Sequence, residues 1–73
     1  MDPKDVALIT SLIETMDFCP SNRKFFILGN IFGFFRYKYK AENLDAVQKL
    51  LEQEVDSTTL LKFIAVCKLL EAQ

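Results

Sequence analysis

The sequence predicts an all-α fold: one compact domain of four short antiparallel helices, over roughly 3–17, 22–40, 43–54 and 57–71. Three observations carry this reading. Apolar residues recur at spacings of three and four along four separate segments, the pattern of a helix with one oily side. Each segment opens beside a residue able to cap a helix N-terminus. Glycine and proline number only two each in 73 residues, too few for the turns of a β-barrel.

In the first segment Asp2 can cap, and Pro3 stands at the first helical position, where its missing N–H costs nothing. Val6, Ile9, Leu12, Ile13 and Met16 form the apolar stripe, with Asp5, Thr10, Glu14 and Asp17 expected on the other side. The helix should stop near Cys19-Pro20, because a residue before proline is pushed out of helical space.

The second segment, with Ser21 or Asn22 as its cap, is the most aromatic. Phe25, Leu28, Phe32, Phe35 and Tyr39 fall on one helical face, with Ile27, Ile31 and Phe34 beside it. An apolar arc that wide implies a central helix or one that needs a partner. A second reading of the same residues is a β-hairpin turning at Gly29-Asn30. The helix is favoured, since an isolated two-stranded ribbon is marginal and the neighbouring segments are helical. Gly29 and Gly33 then lie four apart on one face, marking either close approach of another helix or local weakness.

The third helix begins at Asn43 and carries Leu44, Val47, Leu50 and Leu51. The fourth follows Asp56-Ser57, carries Leu60, Leu61, Phe63, Ile64, Cys67, Leu69 and Leu70, and is expected to run to the end of the chain.

Phe25, Leu28, Gly29 and Phe32 resemble the large-x-x-Leu-Gly-x-x-aromatic signature of the first helix of a tetratricopeptide repeat, and Asn43-Leu44-Asp45-Ala46-Val47 is similar to the start of its second. The connection is about five residues too long for that repeat, and the pattern occurs once. Repeat arrays stack several units to bury a core, so the resemblance implies a helical hairpin, not a repeat protein.

No residue pattern points to catalysis. The chain has no histidine, hence no ordinary acid–base group near neutral pH and no cysteine–histidine nucleophile. Phosphate-loop, dinucleotide and nucleophile-elbow motifs are absent. Cys19 and Cys67 cannot make a four-thiolate zinc site. No cofactor and no metal is expected. The two cysteines read as reduced thiols in a cytoplasmic protein, with a single bridge as the minor alternative. The acidic N-terminus is unlike a secretory signal.

Charge is more informative by segment than in its total of −1. Residues 1–20 are net −3, residues 21–40 are net +5 with no acid, and residues 41–56 are net −4. The aromatic helix is therefore also the basic one. One consequence is cancellation within the bundle, through rim pairs worth roughly 0–1 kcal/mol each. The other is docking: aromatics beyond what so small a core can hold, rimmed by cations, form an interface.

On this basis the chain is expected to be a small non-catalytic interaction module of adaptor, chaperone or inhibitor type. It would bind a protein partner, or itself as a homodimer, through Phe26, Phe34, Arg36, Tyr37, Lys38, Tyr39 and Lys40. Substituting Lys38 or Tyr39 should then spare the fold, whereas Phe32 should be core. The alternative is nucleic-acid binding, with Tyr37 and Tyr39 stacking bases and Arg36, Lys38 and Lys40 meeting phosphates. An isoelectric point of about 5.2 opposes it. Membrane association is weaker still: Phe25–Phe35 spans eleven residues, against the roughly 20 needed to cross a bilayer.

Overall fold

Local capping chemistry sets where the helices begin. In the computed structural model, which describes residues 1–72, four helices follow in order: α1 (Pro3–Asp17), α2 (Ser21–Tyr39), α3 (Leu44–Glu54) and α4 (Ser57–Glu71). Gln73, the last residue of the predicted domain, lies outside the described residues. The carboxylate of Asp2 accepts from the Lys4 N–H, the Asn43 side chain from Ala46, and the Asp56 carboxylate from Thr59, each satisfying an amide that the helix itself leaves free. These are the three caps expected.

The start of α2 differs from expectation. Pro20 is its cap residue, with an extended backbone and no side-chain hydrogen bond. The helix begins at once behind it, so Ser21 already lies in the first turn, and the Asn22 oxygen accepts from the adjacent Arg23 N–H. At the other end Lys40 is not helical: it adopts a left-handed conformation, φ 58°, and the Lys40 and Ala41 amides both donate to the Phe35 carbonyl. Glycine usually fills this position because a Cβ is strained there.

α2 is one continuous helix, so the β-hairpin reading falls. Leu28, Ile31 and Phe35 share a helical face that is wholly buried. A turn at Gly29-Asn30 would split that face and bring half of it to the surface. The core is completed by Ile9, Ile13 and Met16 of α1, Val47 and Leu51 of α3, and Phe63, Val66 and Cys67 of α4. α1 packs mainly on α2 and α4, while α3 closes the remaining side against both. Phe32 is only partly buried; its ring meets Phe63 edge-on, with centroids 6.1 Å apart, a favoured aromatic geometry.

One further expectation is corrected and one alternative decided. Asp5, assigned to the outer side of α1, is buried. Gly29 and Gly33 do not mark close helix approach: a Cβ built on either meets nothing within 4 Å.

Candidate functional site

Most of the aromatic surplus of α2 is absorbed by the core, and what remains is ordered. Phe25, Phe32 and Phe34 pack partly against the buried cluster. Phe26 and Tyr37 do not; they are 65% and 82% exposed. They stand eleven residues apart, about three turns, hence nearly in line along the helix. Between them on the same strip lie Gly29, Asn30 and Gly33, all exposed, with the Asn30 amide folded back onto the Phe26 carbonyl at 3.2 Å.

The missing side chains of Gly29 and Gly33 leave an open cleft of about 420 Å³ where α2 meets the beginning of α3. Phe32, Leu44 and Val47 make it apolar, and Arg36 and Glu42 bring the two signs of charge to it. A shallower depression beside Phe26 is bounded by Pro20, Asn22 and Arg23. Arg23 and Arg36 are exposed and form no ion pair among the described residues. Lys24 is engaged: its ammonium donates to the Met16 and Asp17 carbonyls at 3.0 and 3.1 Å, closing the C-terminus of α1.

The seven residues expected to bind divide into two groups. Phe26, Arg36, Tyr37 and Lys40 face solvent. Phe34, Lys38 and Tyr39 are engaged within the molecule. Lys38 Nζ lies 2.6 Å from Asp5 Oδ2, and about 6.0 Å from the Phe34 and Tyr39 ring centres. The Tyr39 hydroxyl donates to the same Asp5 carboxylate and accepts from the Asp2 N–H at 3.2 Å. The Tyr39 ring rests on Phe34 and Phe35. This cluster pins the C-terminal end of α2 to the N-terminal end of α1. The Met1 amino group adds a second tie, to Glu54 at 2.9 Å.

The expectation that Lys38 or Tyr39 can change without harm to the fold is therefore corrected. Lys38→Glu places a second carboxylate against Asp5, and Tyr39→Ala strips a ring from the core edge. The structure also weakens the stacking surface of the nucleic-acid reading, because of its two tyrosines only Tyr37 is free.

The cluster carries a pH signature. Hydrogen bonds from Lys38 and Tyr39 hold the Asp5 carboxyl below its ordinary value. The Asp5 hydrogen bond raises Lys38 and Tyr39 above theirs. Asp56 is lowered by its bonds to Thr59. A depressed carboxyl contributes stability that is present above its unfolded value, near 4, and lost as pH falls through the folded one. The raised Lys38 and Tyr39 contribute below about pH 10 and lose that contribution above it. Urea midpoints are thus expected to hold steady across neutral pH and fall steeply below about pH 4. Asp5→Asn should lower the neutral midpoint and flatten the acid limb; an unchanged acid limb would remove Asp5 from the account.

Both cysteines are free thiols. The Cys19 thiol donates to the Thr15 carbonyl. Burial, helped by Glu71, pushes Cys67 up to about 11, so it stays protonated and a poor nucleophile. No group of three or more histidine, cysteine or carboxylate side chains converges as a metal site among the described residues, and none of the described helices is long and apolar enough to cross a membrane.

Phe18 went unnoticed in the sequence. It ends α1 and is the most exposed large apolar residue, at 87%. It lies past the last residue of the α1 stripe, so periodicity assigns it no face; its only sequence signal is a bulky residue stranded before Cys-Pro. Leu61 and Leu69 of α4 are exposed as well. Comparison with family models, curated proteins and solved structures yields no match for this chain, so the reading of function rests on this surface.

Proposed function

We propose that the chain is a non-catalytic protein-interaction module whose docking face is the outer strip of α2. The observation that carries this is the strip itself: two exposed aromatics, Phe26 and Tyr37, nearly in line with the exposed Gly29 and Gly33 between them and the cleft toward α3 alongside, on a helix with unpaired arginines and no acid. Exposed aromatic and arginine side chains are the usual anchors of protein interfaces, and a recess beside them supplies the pocket such anchors pair with. Binding would proceed by apolar burial, with the arginines orienting an acidic partner. The reading places the protein in the cytoplasm, where Cys19 and Cys67 stay reduced, and makes it an adaptor, chaperone or inhibitor, not an enzyme.

A photo-crosslinking residue at Phe26 or Tyr37, in the chain expressed in its own host, is expected to trap a protein adduct, and the same residue at Glu52 on α3 is not. The Phe26→Ser, Tyr37→Ser double variant should keep its circular dichroism and melt close to the parent, since exposed positions rarely shift stability beyond about 0.5 kcal/mol, while losing adducts from a probe at Asn30. Equal trapping from Glu52, or none from α2, defeats the reading.

A further inference from the structure

We draw no further inference here: the strongest candidate, the open apolar cleft where α2 meets the beginning of α3, belongs to the docking face already described, and with one charge of each sign among its lining residues, Arg36 and Glu42, nothing in the structure shows what covers it.

Discussion

Phe35→Ala is expected to cost about 3–5 kcal/mol, most or all of the stability that a domain of this size commands. Phe35 is fully buried, near the end of α2. Its ring takes an edge contact from Phe34 and a tilted one from Tyr39, and its own carbonyl receives the two amides that close the helix. Truncation therefore opens a cavity at the point where α2 turns toward α3, beside the Asp5 cluster that ties α2 to α1. Relaxation into the cavity is opposed from both sides, which places the cost toward the upper end of the range. Urea unfolding followed by circular dichroism measures it. Phe26→Ala, nine positions earlier on the same helix, removes the same atoms from an exposed site and should change stability by no more than about 0.5 kcal/mol. Equal losses from the two would mean that the inner and outer faces of α2 have been exchanged.

The second large effect has the opposite sign. Gly29→Ala and Gly33→Ala are each expected to stabilise the fold by about 1 kcal/mol, because each removes a flexible backbone position from a helix interior. Neither position has a left-handed backbone, and the new methyl group meets nothing within 4 Å. Together they should raise the melting temperature by about 8–16 °C, at 4–8 °C per kcal/mol for a domain of this length. Differential scanning calorimetry on the single and double variants gives the value. A lower melting temperature from either would show that the cleft is already filled in solution. The gain also bears on function. Two glycines weaken α2 by a sizeable fraction of its margin, and nothing in the monomer uses the space they leave. Such a cost is what a binding recess, and not a packing requirement, would exact.

The helices were legible because their signals are local. Asp2, Asn43 and Asp56 each cap an amide two or three residues away, and the stripes of α1 and α3 repeat within a few turns; the expected boundaries of α1 and α4 coincide with those observed. One-residue shifts occur at α2, where Pro20 starts the helix without a side-chain cap and Lys40 leaves helical space at its end, and at α3, where Asn43 is the cap and not the first helical residue. The proposed docking face was legible only in part. Phe26, Arg36 and Tyr37 are where their spacing implied, but Phe34 and Tyr39 pack against the core, Lys38, though exposed, is held by Asp5, and Phe18 carried no periodic signal at all.

Local composition and periodicity thus decided that the chain is helical, where its helices lie, and that α2 is both the oily and the basic element. The fold in three dimensions decided the fine phase of α2. An apolar arc that nearly encircles a helix fixes its direction only coarsely: spacing put Leu28 and Phe35 inward and Phe26 and Tyr37 outward, and packing by α1, α3 and α4 decided that Ile31 is fully buried and Phe32 only partly so. It also decided the fate of Asp5, a residue with every local reason to face water. Its partner Tyr39 lies 34 positions along the chain. A carboxylate can leave solvent only where a cation and a hydroxyl replace its waters, and only the folded chain brings those groups to it.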